Sequence, residues 1–265
     1  GMVAESYGYR VSFWAGAFIM LAGFFLVSLM LKAEPRIASI TSTSPTEANP
    51  HLKPIPKANE KALSFVTHTI ALMLVMLFFH RILRTVFTPF IPLYVQEMTG
   101  SKVGAAAITG SINGVVGFVT ALSSILISHL GDKFPKLLMI KIMLIITFFI
   151  SIAVNFTSNL VSFTIVYAAM FFVIGGVEPL ITSMTAEQTP PQKRGALFGI
   201  QGLVGSLGWM LSPAIGTYIS IVYNYSAILW SVVAMVILSY ATTAFVTLKS
   251  KTAKEELVKD DFHMI

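Results

Sequence analysis

The chain has 265 residues, 55% of them hydrophobic and 11% charged, with a mean hydropathy of +0.78 and a net charge of +6. Soluble domains carry about 25% charged residues, so composition excludes a water-soluble domain as the main content. The lack of cysteine excludes a disulfide framework and thiolate metal or redox sites.

Residues 11–31 form the first uncharged span. Residues 32–62 hold five prolines and a Ser/Thr cluster over 39–46, the composition of an extended or disordered linker. The second span, 63–95, carries His68, His80, Arg81 and Arg84 inside it. The third, 103–130, ends in the charged turn Gly131-Asp132-Lys133-Phe134-Pro135-Lys136. The fourth is 137–156, with Lys141 close enough to its end to snorkel. The fifth, 160–186, is interrupted by Gly175-Gly176 and Glu178-Pro179 and leads into a polar turn over 187–194. Spans 196–220 and 226–248 follow, then a charged tail, 249–265. Each span has the ~20 residues that about 30 Å of hydrocarbon requires. An all-α membrane protein with seven transmembrane helices is predicted.

The basic residues give it an orientation. Seven spans alternate the connections between two sides. Fourteen Lys and Arg lie on the side of the 32–62 linker, the two charged turns and the tail; only Arg10 and Lys102 lie on the other. The excess assigns the first side, and with it the C-terminus, to the cytoplasm. The positive charge is therefore a topology signal rather than a sign of nucleic-acid binding. The remaining two basic residues, Arg81 and Arg84, lie within the membrane.

Residues 195–216, GALFGIQGLVGSLGWMLSPAIG, form an uncharged segment with a small residue every three or four positions. In water so many glycines would oppose a helix, at about 1 kcal/mol each. In lipid the missing Cβ lets a neighbouring helix approach closely, so this helix is expected to be packed on more than one side. The run from Gly216 through Tyr223-Asn224-Tyr225 to Trp230 parallels the run from Gly1 through Tyr7-Gly8-Tyr9 to Trp14, with one insertion. Such a repeat points to a fold of duplicated halves. It also makes Gly1 the end of a Gly-rich helix, so the sequence is expected to start mid-protein.

Four motifs carry a family resemblance. Gly208-x-x-x-Ser212-Pro213-x-x-Gly216 resembles the antiporter motif gxxxGPxxGG, with Ser212 for one glycine and Thr217 for the last. Ser128-x-Leu130-Gly131-Asp132-Lys133-x-Pro135-Lys136 resembles the turn motif GxLaDRxGRk, with Lys133 for Arg and Pro135 for Gly. Residues 89–97, PFIPLYVQE, resemble the end of the first helix of each half, and residues 189–195, TPPQKRG, the loop before the eleventh helix. With these motifs the chain resembles the C-terminal half of a major facilitator superfamily transporter, most of all its drug–proton antiporter branch. The resemblance implies that 1–31 ends the N-terminal bundle as helix six, 32–62 is the central cytoplasmic linker, 63–248 is the C-terminal six-helix bundle and 249–265 is the cytoplasmic tail. It also implies alternating access in the cell membrane, with membrane lipid, a small-molecule substrate, protons and the absent N-terminal helices as partners, and no cofactor.

Arg81 and Arg84 lie three apart on one helix face, which Thr88 continues. Ionisable residues at that depth face the protein interior or a water-filled cavity. Both a substrate- or ion-facing role and a structural pairing with an acid in the absent half fit. His80, one turn from Arg84, reads as a packing residue or a cavity residue. Glu178 is the one acid well inside a span, and helix ten lines the cavity in the resembled family; it is expected to carry or sense the coupling proton. A hydrated carboxylate near the cytoplasmic end fits its position as well. Asn113 reads as a cavity residue or a helix–helix contact. Asp132, Lys133, Glu187 and Arg194 suit a cytoplasmic latch, in which a carboxylate binds a facing helix N-terminus in one state and releases it in another. Gly208, Pro213 and Gly216 are assigned to helix packing.

The five histidines are scattered, with no HExxH pair and no Gly-rich phosphate loop, so neither a metal site nor an enzyme is predicted. A seven-helix receptor accounts for the number of spans but not for the repeat, the linker or the turn motif. Among transporters, the motif at 208–216 favours proton-coupled efflux of drug-like molecules. Two arginines against one glutamate favour uptake of an organic anion, with a sugar as the further alternative.

Overall fold

The computed structural model describes residues 6–30 and 65–263. The expected linker, 32–62, lies outside the described residues. Among the described residues all regular structure is helical, and seven helical segments are long and apolar enough to cross a membrane. Helix α1 (Tyr9–Met30) belongs to a unit of its own, Met2–Ser64; its side chains are exposed, as suits a segment whose neighbours are lipid or other helices.

The second unit begins at Phe65. The Thr67 hydroxyl accepts the Ile70 N–H at 3.3 Å and so caps α2 (His68–Thr85). The single span expected over 63–95 is in fact bent. Pro89 and Pro92 have no N–H to continue the helix, so α2 stops, a 3-10 turn forms at Thr88–Phe90, and α3 (Ile91–Thr99) follows. At the break the Thr85 and Thr88 hydroxyls donate to the carbonyls of Arg81 and Arg84, at 2.7 and 3.2 Å. Helix α3 ends on Gly100 at φ 65°, a left-handed conformation that favours glycine.

Next come α4 (Ala105–Gly131), α5 (Lys136–Asn155) and the fifth span, which breaks at Gly175-Gly176 into α6 (Leu160–Ile174) and α7 (Val177–Glu187). Pro179 therefore falls in the first turn of α7, where a missing N–H does little harm. The helical bond it cannot make would have ended on the Gly175 carbonyl, which instead accepts the Ser124 hydroxyl of α4 at 3.0 Å. This exchange keeps a backbone group satisfied where lipid offers no partner. After a 3-10 turn at Pro191–Lys193, α8 (Arg194–Val222) passes Pro213 without breaking. The Asn224 side chain accepts the Ala227 N–H at 2.8 Å and starts α9 (Tyr225–His263). The last apolar span ends at Leu248, as the sequence placed it, and its helix runs on to His263. Ala253, Glu255, Glu256 and Leu257 are all good helix formers.

Helix α2 packs on α8 and α9, and Ile82, Val86, Ile140, Leu144, Ile174 and Val232 sit in the shared core. Beyond the α2 break, Phe87, Tyr94, Phe163 and Tyr167 form an aromatic cluster, with Phe163 and Tyr167 stacked at 5.2 Å.

The Gly-rich helix is closely approached along one face. Gly205, Gly208, Ser212 and Gly216 are buried. A Cβ on Gly208 would lie 2.9 Å from the Arg81 Cβ and 3.1 Å from the Phe78 carbonyl oxygen; one on Gly216 would lie 2.9 Å from the Val86 carbonyl oxygen. Gly195, Gly199 and Gly202 have no atom within 4 Å. The expectation of close packing on more than one side thus does not hold among the described residues, because the small residues fall into two rows and only one row faces α2. Gly208→Ala should lower thermal stability in detergent, by about 1–3 kcal/mol as for other overpacked sites. Gly202→Ala should leave the melting temperature unchanged or slightly raised.

Candidate functional site

Arg81 and Arg84 leave α2 on the same side. Both reach the Glu178 carboxylate at the start of α7. Arg81 donates to Oε1, and Arg84 donates from Nη1 to Oε2 at 2.8 Å. The three side chains are 27, 24 and 21% exposed, so the cluster is half-buried rather than sealed. Counting along the helices puts Glu178 about 10 Å nearer the charged turns than Arg81, so direct contact needs a bend at Pro179 or a water. The break at Gly175-Gly176 and the length of the arginine side chains close that gap. The Arg81 guanidinium also lies 5.7 Å from the centroid of the Trp209 ring on α8. One carboxylate between two guanidiniums leaves a net charge of +1 within the span.

Arg84 and Glu178 line a cavity of about 430 Å³ together with Thr120, Ser124, Thr182, Ser183 and Phe198. Gly175, Pro179 and Ala186 complete the wall, which is mostly apolar in area but carries two charges and four hydroxyls. The Thr120 hydroxyl donates to the Val116 carbonyl at 2.6 Å, which leaves its oxygen free to accept from the cavity. The Thr85 hydroxyl meets Ser212 Oγ at 2.9 Å, so the serine that replaces a motif glycine is satisfied across the helix seam.

The other candidates are placed elsewhere. His80 is 1% exposed and continues the core stripe of Met73, Met76 and Leu77. Neither of its ring nitrogens has a hydrogen-bond partner among the described residues. Asn113 lies on the exposed face of α4 and does not line the cavity. At the charged turns Glu187 pairs with Lys136, whose ammonium also donates to Ser183 Oγ at 2.6 Å. Arg194 Nε donates to the Ala186 carbonyl at 3.2 Å. Asp132 and Lys133 are exposed and form no ion pair among the described residues. The two turns are thus joined by Lys136, which sequence reasoning assigned no role, because the C-terminal end of α4 turns Asp132 outward. Thr120, Ser124 and Ser183 were also missed. The four-residue spacing of Thr120, Ser124, Ser128 and Asp132 is the signal that could have found the first two.

A model of the Major Facilitator Superfamily matches residues 1–177 and, again, residues 73–261. The chain belongs to the major facilitator superfamily. Among relatives in this superfamily, a multi-drug resistance efflux pump PmrA homolog of Lactococcus lactis is 29% identical over 52% of this chain and 34% of its own length. The MFS-type transporter YuxJ of Bacillus subtilis is 28% identical over 86% of this chain and 55% of its own. Multidrug resistance protein MdtG of Enterobacter lignolyticus is 22% identical over 100% and 62%. The chain therefore spans about a third to three fifths of the length of these relatives. A mutant of the peptide transporter POT in complex with sulfate shares the fold, with a TM-score of 0.59 at 15% identity over 73% of this chain and 44% of that one. The all-helical, multi-span fold expected from the sequence is the one this superfamily adopts.

Removing one member of a buried charge pair is more harmful than removing the pair, because it strands a charge. Glu178→Ala leaves two adjacent guanidiniums and should destabilise more than Arg84→Ala. The loss should stay below the 3–5 kcal/mol of fully buried pairs, since water reaches the cluster. Thermal unfolding of both variants in detergent checks the order.

Proposed function

We propose that this chain is the C-terminal part of a secondary active transporter that exports small drug-like molecules in exchange for protons by alternating access. The observation that carries this reading is the Glu178 carboxylate held by Arg81 and Arg84 at the wall of a cavity that also presents four hydroxyls. A proton on Glu178 would neutralise the anion and free both guanidiniums. Its release would restore the pairs. A group with two such states can couple proton movement to a change in helix packing. Similarity to relatives that carry multidrug resistance and efflux names supports export and drug-like substrates. In this reading five further helices complete the cavity. Lys136 and Glu187 tie the two cytoplasmic turns together, Arg194 braces the second turn through the Ala186 carbonyl, and Asp132 and Lys133 serve as the outward-facing part of the latch.

A second reading has one observation in its favour. The net charge of +1 on the cavity wall suits a small organic anion, which an uptake permease would carry inward.

The test uses the full-length transporter in vesicles. Glu178→Gln mimics the protonated state and should abolish transport driven by a pH gradient while leaving substrate binding and exchange largely intact. If it accumulates substrate at the wild-type rate, Glu178 is structural.

The proposed orientation places the linker, the charged turns and the tail in the cytoplasm. Single cysteines replacing Ser44, Gln192 or Lys254 should resist an impermeant thiol reagent in intact cells, whereas Ser101→Cys and Asn159→Cys should react. Labelling of Gln192→Cys without permeabilisation would reverse the topology.

A further inference from the structure

A second cavity, of about 380 Å³, adjoins the first. Ser124, Ile125, Ser128, His129 and Asp132 line it, and Ser124 is common to both. Thr120, Ser124, Ser128 and Asp132 recur at every fourth position of α4, so they form one stripe on its surface. The stripe runs about 18 Å, at 1.5 Å per residue, from beside Glu178 to the charged turn at 131–136. Its flanks are apolar and exposed: Leu122, Ile125, Leu126 and Leu130. A lipid-facing helix gains nothing from a row of hydroxyls ending in a carboxylate, and polar groups within a span mark cavities and ion paths.

We propose that this stripe lines a hydrated path along which protons reach Glu178 from the cytoplasmic side. The inference rests on the proton role of Glu178 and on the orientation proposed above. Hydroxyls four residues apart along a helix are too far apart to bond directly, so water completes the path. Together the two cavities hold on the order of twenty waters, at about 30 Å³ each. The Ser124 hydrogen is committed to the carbonyls of Thr120 and Gly175, at 2.9 and 3.0 Å, and that of Thr120 to Val116. Their oxygens remain acceptors, which fixes the direction in which a water chain donates.

The charged and titratable groups facing the path are Asp132 and His129 at its mouth and Arg84 and Glu178 at its inner end, with Lys133 beside the mouth. Lys136 and Glu187 neutralise each other on the neighbouring elements. Asp132 collects a proton from the cytoplasm. The proton moves through the waters and binds a Glu178 carboxylate oxygen, and the hydrogen bonds from Arg81 and Arg84 to that carboxylate weaken as its charge is lost. No electron transfer and no other reactant is involved.

The test has two arms in the full-length transporter. This chain has no native cysteine. In inside-out vesicles, Ser128→Cys should react with the small cationic thiol reagent MTSET as Asp132→Cys does, while Leu126→Cys, on the apolar flank, should not. Ser128→Leu should slow pH-gradient-driven transport and spare substrate exchange, and Ser128→Thr should restore coupling. Failure of Ser128→Cys to react where Asp132→Cys does, or wild-type coupling in Ser128→Leu, overturns the path. If Ser128→Leu does not reach the membrane, the labelling arm decides. A Glu178→Gln variant that keeps coupling sinks the proton reading itself; one that loses coupling while Ser128→Leu keeps it sinks only the path.

Discussion

A carboxylate shared by two guanidiniums within a membrane span constrains everything packed around it. A lone charge in a low-dielectric medium is expensive, so Arg81, Arg84 and Glu178 have to meet. For that, α2 and α7 must lie side by side at matching depth. The break at Gly175-Gly176 puts Glu178 in the first turn of a new helix rather than in the middle of an old one. Gly208 lets α8 close over the base of Arg81, and Trp209, next to it, offers the guanidinium an aromatic face.

The same economy governs the backbone. Lipid gives no hydrogen bonds, so each helix break needs an internal substitute. At Gly175 the substitute is the Ser124 hydroxyl from the neighbouring helix. Where α2 ends, Thr85 and Thr88 return their hydroxyls to the preceding turn, and Thr85 also meets Ser212 across the seam. Hydroxyls thus gather at the breaks and close approaches. Ser124, which repairs the break at Gly175, also lines the cavity beside Glu178.

At the end that carries the charged turns, Lys136 ties the start of α5 to the end of α7 through Glu187 and Ser183. This clasp stands at the outer end of α7, the helix that carries Glu178 at its inner end. A change of pairing at either end therefore acts on one rigid eleven-residue segment.

The number of the spans and the break at Gly175-Gly176 were legible in the sequence, because length, Pro and Gly act within a few residues of themselves; the break after Thr85 was not read, although Pro89 and Pro92 mark it. The close-packing role of Gly208 and Gly216 was legible for the same reason, as a spacing on one helix. Which residues meet was not. Arg81 and Glu178 are 97 positions apart, and a step of one residue turns a side chain by about 100° around the helix axis, so partners depend on the rotation and register of whole helices. Counting residues left about 10 Å of depth between Glu178 and Arg81, to be closed by a bend or a water, and could not choose between them. It gave Lys136 no partner, whereas packing pairs it with Glu187. It could not tell that Gly205, Gly208 and Gly216 face a neighbour while Gly195, Gly199 and Gly202 do not. Those outcomes belong to tertiary structure alone, because they are settled by the relative placement of helices that the chain connects only at their ends.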